Sequence, residues 1–214
     1  MPATLHYIYD PLCGWCYGAE PLVTAAATSP SVALELHAGA LWPEPTRLPE
    51  STRLYIRQAD QRIAAMSGQR FGPDYHNGLL LDPTMVLESR PPTAAVLAAQ
   101  MLDPAKALPM LRAIQHAHYE QGLRVVEHDV LCDLAVEIGL DRAEFDAALK
   151  RVPLEEHIDA THRLMSHVGA QGFPTFVLQV GDDLHPVPHG RFSSQPAQFR
   201  DWLETQVKAH EAAH

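Results

Sequence analysis

Leu5-His6-Tyr7-Ile8-Tyr9-Asp10-Pro11-Leu12-Cys13-Gly14-Trp15-Cys16 passes from a strand pattern, through a turn, into a helix that opens on two cysteines. Residues 5 to 9 are aromatic and β-branched, and Asp10-Pro11 closes them as a strand ending in a turn. From Cys13 to Ala27 the chain is alanine-rich, with Leu22 and Val23 inside, so a helix starts at or near Cys13 and stops before Ser29-Pro30. Pro21 is expected to kink it. Val32 to His37 alternates as a second strand, and the right-handed crossover rule makes the two strands a parallel pair.

A cysteine in the first turn of a helix meets unsatisfied backbone N–H groups and the positive end of the dipole, and both favour thiolate over thiol. Cys13 has that position, as the exposed attacking sulfur; Cys16 lies one turn deeper, placed to resolve the mixed disulfide that the attack creates. A rival reading makes the pair half of a zinc site, which needs two more ligands at a recognisable spacing. Cys132 has no partner cysteine, and the pair follows a strand and opens a helix, so a redox dithiol is the better account. Cys132 itself, in Val130-Leu131-Cys132-Asp133-Leu134, reads as a core residue.

Beyond Trp42-Pro43-Glu44-Pro45 the chain turns helical for about a hundred residues, with candidates at 50–66, 92–101, 104–121, 127–138, 142–149 and 153–168. Strand character returns at Thr175 to Val180, then Gly181-Asp182-Asp183 reads as a hairpin turn, a short strand lies near His185 to His189, and a last helix covers 196–210. The class is α/β, in the order β-α-β, helical block, β-β-α. Residues 1–47 and 152–214 would form one domain, with 48–151 inserted as a helical one.

Tyr9-Asp10-Pro11-Leu12-Cys13-Gly14-Trp15-Cys16-Tyr17-Gly18 resembles the active-site segment of the DsbA-like family. Gly172-Phe173-Pro174-Thr175-Phe176 is similar to that family's cis-proline loop and precedes the late strand, as a thioredoxin-like fold requires. With the helical insertion, the likeness covers nearly the whole chain and is strongest to the cytoplasmic FrnE-like, predicted disulfide-isomerase branch. It implies a cis bond before Pro174 and a loop, Phe173 to Thr175, whose main chain pairs with an extended substrate. It also implies protein or peptide thiols and disulfides as partners, recycling by glutathione or the thioredoxin system, and no metal or bound cofactor. Gly14-Trp15 departs from the strongly oxidising members in having no histidine beside Cys13. A potential of roughly −150 to −250 mV is expected, from the spread of relatives.

Other residues are weighed against that centre. Trp15 reads as a substrate contact, and with Tyr17 and Trp42 as an apolar lip. Asp10 has a supporting role near the cysteines, and Glu20 reads as a surface carboxylate. His157, His162 and His167 fall at five-residue spacing, about 140° apart in succession, and read as solvated or capping groups. His210-Glu211-Ala212-Ala213-His214 has the letters of a zinc-protease helix but ends the sequence, so it reads as coincidence.

Composition sets the outer bounds. The chain has 214 residues, 46% of them hydrophobic, enough for a sizeable core. A formal charge of −10 without a basic cluster argues against a nucleic-acid or polybasic membrane footprint. Met1-Pro2-Ala3-Thr4-Leu5 has no signal-peptide pattern, which places the protein in the cytoplasm. Two other functions compete with disulfide exchange: a glutathione-dependent isomerase or kappa-class transferase, against which a complete Cys-x-x-Cys argues, and a non-enzymatic thiol switch. Substrate, recycling partner, direction of electron flow and oligomeric state stay open at this level.

Overall fold

The computed structural model describes residues 3–213; Met1, Pro2 and His214 lie outside them, and with them the start of the N-terminal reading and the last histidine of the terminal motif. β1 (Ala3–Tyr9), α1 (Gly14–Ala26) and β2 (Val32–Ala38) form the expected unit, with β2 parallel to β1 and Tyr9 opposite Ala38. β3 (Thr175–Val180) lies antiparallel on the other side of β1, and β4 (Asp183–Pro186) follows a turn over Gly181 and Asp182. Gly181, at φ +61, supplies the left-handed residue that a tight hairpin needs. The sheet order is β2-β1-β3-β4. The last strand ends sooner than expected: Pro188 has no N–H for a ladder, and His189–Phe192 turns into a 3-10 helix.

β1 is the central strand and is buried along nearly its whole length. Leu5, Tyr7 and Tyr9 join Phe176 and Leu178 in the main core, where the Tyr7 and Phe176 rings stack at 4.7 Å. α1 and the terminal helix α8 (Pro196–Ala213) pack against each other beside this core. The alternate face of β1 carries His6 and Ile8, and α7 (Leu154–Val168) packs on the neighbouring β2.

The helical block consists of α2 (Glu50–Ser67), α3 (Arg90–Leu102), α4 (Ala107–Tyr119), α5 (His128–Glu137) and α6 (Arg142–Leu149), with a long connection over residues 68–89 between α2 and α3 and shorter ones elsewhere. α1 connects it to the sheet, because α2 and α4 both pack on α1. Contact there is close: a Cβ at Gly18 would fall 2.5 Å from Ile63 Cγ2. Pro21 lies inside α1 without ending it. A proline leaves the carbonyl four residues earlier without its helical donor, and Gln69 Nε2 donates to that oxygen, Tyr17 O, at 3.0 Å.

One buried segment carries no helical or strand periodicity in its sequence. Asp74–Gly78 forms a π turn and Leu79–Leu81 a 3-10 turn, together burying Tyr75, Leu79 and Leu80. Gly72 allows it, since a Cβ there would lie 1.9 Å from Glu120 O. Such a crossing is a tertiary contact that no local periodicity announces.

Candidate functional site

Asp10 sits at the end of β1, fully buried. Its two carboxylate oxygens accept from Leu12 N at 2.8 Å and Leu41 N at 2.7 Å, and its own carbonyl accepts from Cys13 N at 3.2 Å. Burial pushes its carboxyl up, against hydrogen bonds from Ser89, Leu41 and Leu12 that pull it down. Ser89 also accepts from Trp42 N at 2.9 Å. One side chain thus ties together the strand end, the turn before the cysteines and the segment carrying Trp42.

Cys13 is the N-cap of α1, with extended backbone, and its carbonyl accepts the first helical bond from Tyr17 N at 3.0 Å. Cys16 follows one turn later, wholly buried, and both thiols are free. Burial pushes the Cys16 thiol well up, and its hydrogen bond with Cys13 adds to that. The expectation that Cys13 is the exposed sulfur needs correction: only 7% of it is accessible. The cause is the inserted block. Tyr55, Ile56, Ala59, Asp60 and Ile63 of α2 line a cleft of about 180 Å³ together with Cys13, Gly14 and Trp15. A Cβ on Gly14 would fall 2.9 Å from Asp60 Oδ1, so the glycine between the cysteines is what lets this wall approach.

The loop before β3 closes the other side. Phe173-Pro174 is cis, and the Cys13 thiol faces Phe173 O at 3.7 Å. Thr175 Oγ1 donates to Gly172 O at 2.8 Å, bracing the loop from within. A second cleft, of about 240 Å³, holds Phe173, Pro174 and His189 opposite Gly18, Ala19 and Leu22. Trp15, 43% exposed, lines both clefts and forms the ridge between them.

Trp42 lines the first cleft, as the apolar-lip reading expects, but Tyr17 does not. Tyr17 is buried, stacks on Tyr119 at 4.8 Å and donates to Arg70 O at 2.8 Å, because α4 packs on the face of α1 that carries it. Glu20 pairs with Arg112 at 2.6 Å and has a structural role. Cys132 is fully buried in the core. The solvated reading is corrected for His157, which is half-buried, whereas His162 stays exposed and adds one hydrogen bond. Ala38 N donates to His157 Nε2 at 3.0 Å and His162 Nε2 donates to Gly39 O at 2.8 Å, so α7 is pinned to the end of β2. The loop crosses the helix there, which lets residues on different helical faces reach neighbouring atoms.

Gly39 is the tightest point beside the loop. A Cβ there would lie 2.4 Å from the Phe173 ring. Gly39→Ala is expected to displace that ring, and with it the loop whose Phe173 O faces Cys13, and to lower kcat/KM for disulfide exchange by roughly 10- to 100-fold. Urea unfolding measured in parallel separates this from a stability loss of about 1–3 kcal/mol.

Asp60, Tyr75, His118 and Tyr119 line the first cleft and were not anticipated. Asp60 was visible in principle: Ile56, Ala59 and Ile63 mark the apolar face of α2, and an acid at position 60 falls on that face. It is 2% exposed, Tyr75 Oη donates to it at 3.2 Å, and burial pushes its carboxyl up to about 7.

Residues 4–197 match the model of the DSBA-like thioredoxin domain. The chain belongs to the DsbA-like thioredoxin family. Its fold is the DsbA-like one with a helical insertion, and its activity is that of a thiol-disulfide oxidoreductase, which works through a redox-active cysteine pair. Among solved structures it is similar to the cytosolic disulfide reductase DsbM from Pseudomonas aeruginosa, at 45% identity and TM-score 0.88, covering 96% of this chain and 99% of that one. The same protein with GSH superposes at TM-score 0.86, with the same identity and coverage. A putative protein disulfide isomerase from Nitrosomonas europaea shares the fold, at 23% identity and TM-score 0.83, over 98% of this chain and 100% of that one. No curated protein sequence matches the chain. Among the described residues, no helix is long and apolar enough to cross a membrane.

Proposed function

We propose that this DsbA-like chain is a cytosolic, glutathione-linked disulfide reductase in which Cys13 attacks and Cys16 resolves. The observation that carries the direction is the 45% identity, over 96% of the chain, to a cytosolic disulfide reductase also solved with GSH. The Cys13 thiolate attacks one sulfur of a substrate disulfide, forms Cys13–S–S–substrate and releases the other sulfur as a thiol. Cys16 gives up its proton and attacks Cys13 Sγ, releasing the second substrate thiol and closing the Cys13–Cys16 disulfide. Two glutathione molecules reopen that disulfide and leave as oxidised glutathione, so two electrons pass from glutathione to substrate.

Phe173 offers its main chain to an extended peptide, with Pro174 and Thr175 holding the loop, and Trp15 supplies apolar contact on both sides. Asp10 is a positioning residue that holds the turn before Cys13. The helical block, about residues 48–151, supplies the wall that limits access to Cys13 and sets substrate size. The two small apolar clefts suit a tripeptide thiol or an extended peptide strand.

Steady-state reduction of a peptide disulfide, with either glutathione and glutathione reductase or thioredoxin and thioredoxin reductase as electron source, tests this reading. Turnover sustained by glutathione is expected. Turnover only with thioredoxin removes the glutathione link, and catalysis only of dithiol oxidation reverses the direction.

A further inference from the structure

The second face of the sheet, away from the cysteines, carries a cluster that disulfide exchange does not use. His6 on β1 and Glu35 on β2 are register partners, and His37 lies two residues further along the same face of β2. His6 Nδ1 is 3.0 Å from His37 Nε2 and 3.4 Å from Glu35 Oε2, and His37 Nε2 is 3.7 Å from Glu35 Oε2. Three ligands of one tetrahedral zinc ion, each about 2.1 Å from the metal, stand about 3.4 Å apart, whereas ligands sharing an octahedral face close to about 3.0 Å. The mean of the three separations follows the tetrahedral value.

Hydrogen-bond bookkeeping points the same way. Gln179 Nε2 donates to Gly181 O at 3.0 Å, which turns Gln179 Oε1 toward His6 Nε2 at 2.8 Å. That carbonyl needs a donor, so His6 carries its proton on Nε2 and, as a neutral ring, presents a lone pair at Nδ1. A glutamate oxygen facing that lone pair is repelled by it. The point on which these atoms converge can hold either the His37 Nε2 proton, donated to His6 Nδ1, or a cation that replaces it, and a histidine whose other nitrogen donates to a carbonyl is the usual outer support of a metal ligand. A second grouping, His128 with Cys132 and Asp146, shows the contrast, since Asp146 is already satisfied by His128 at 2.7 Å and Lys150 at 2.6 Å.

We propose that His6 Nδ1, His37 Nε2 and Glu35 Oε2 bind one zinc-class divalent cation, with water as the fourth ligand. Glu35 and His37 border an open groove of about 720 Å³ that also holds Leu34, Leu36 and His157, which gives the ion its entry path. The ion would clamp β1 to β2 on the face opposite the main core.

The test uses the full chain with Cys13→Ser and Cys16→Ser, so that the redox dithiol cannot bind metal. Co²⁺ is the probe. One equivalent showing the intense visible bands of four-coordinate Co²⁺, displaced by Zn²⁺, is expected. His37→Ala should abolish these bands, Gln179→Ala should weaken Zn²⁺ binding about 10- to 100-fold, and His185→Ala, at another surface grouping, should change neither. His37 and Glu35 are partly exposed, so Glu35→Gln gives a second ligand variant that spares the core. The proposal is overturned if only the weak spectrum of octahedral Co²⁺ appears, or if the four-coordinate spectrum survives both His37→Ala and Glu35→Gln.

Discussion

Cys13→Ser is expected to lose disulfide exchange by a factor on the order of 10³ or more, because no second sulfur replaces the attacking one. Cys16→Ser should fail differently. Its Cys13 still attacks, but nothing resolves the product, so the protein accumulates as a mixed disulfide with substrate or glutathione that mass spectrometry detects as an adduct on Cys13. Burial pushes the Cys16 thiol up, so wild-type resolution should quicken as pH rises and more Cys16 loses its proton. Retained turnover by Cys13→Ser, or adducts on Cys16, would remove the assignment of roles. Both variants should fold, since serine nearly matches cysteine in size: Cys13 is an N-cap, a position serine favours, and at buried Cys16 the added hydroxyl costs about 1–3 kcal/mol, which urea unfolding measures.

Asp60→Asn is expected to stabilise the protein at alkaline pH and to do nothing at acid pH. Burial pushes the carboxyl up to about 7 in the folded protein, against an ordinary value of 3.8, so between those values the folded state holds a proton that the unfolded chain has released. Rising pH therefore favours unfolding across that window, and the full cost of burying the carboxylate is reached above about pH 7. Three pK units correspond to at most about 4 kcal/mol. His76 Nε2 lies 3.5 Å away, but burial lowers its affinity for protons, so it offers little countercharge. Asparagine keeps an acceptor for Tyr75 Oη and cannot ionise. Urea denaturation at pH 8 should show a gain of about 2–4 kcal/mol that vanishes near pH 4; a gain independent of pH would mean that Asp60 is not the titrating group.

How far the site could be read in advance depends on whether its contacts are local. β1, the Asp10-Pro11 turn and the cysteine-led helix lie within one short stretch, so composition and spacing suffice for them. β3 was legible over its whole length because Phe176 to Val180 is flanked by Pro174 and Gly181. α2 kept its amphipathic period from Glu50 to Ser67. Long-range contact set the rest. Cys13 is buried because α2 covers it, Tyr17 turns inward because α4 supplies Tyr119, and His157 and His162 act on a loop more than a hundred residues earlier. The turns at 74–81 depend on Gly72 passing Glu120. Asp60 alone leaves a local trace, as an acid on an apolar helix face.

The reductase reading can be tested most directly by equilibrating the protein in defined ratios of reduced to oxidised glutathione, following Trp15 fluorescence, and extracting the potential of the Cys13–Cys16 pair. A reductase sustained by cytosolic glutathione should have a potential close to that pool, about −220 to −260 mV, so that both forms are populated at the physiological ratio. A potential above about −180 mV, towards the −120 mV of a strong oxidant, would contradict the account and make the protein a disulfide donor.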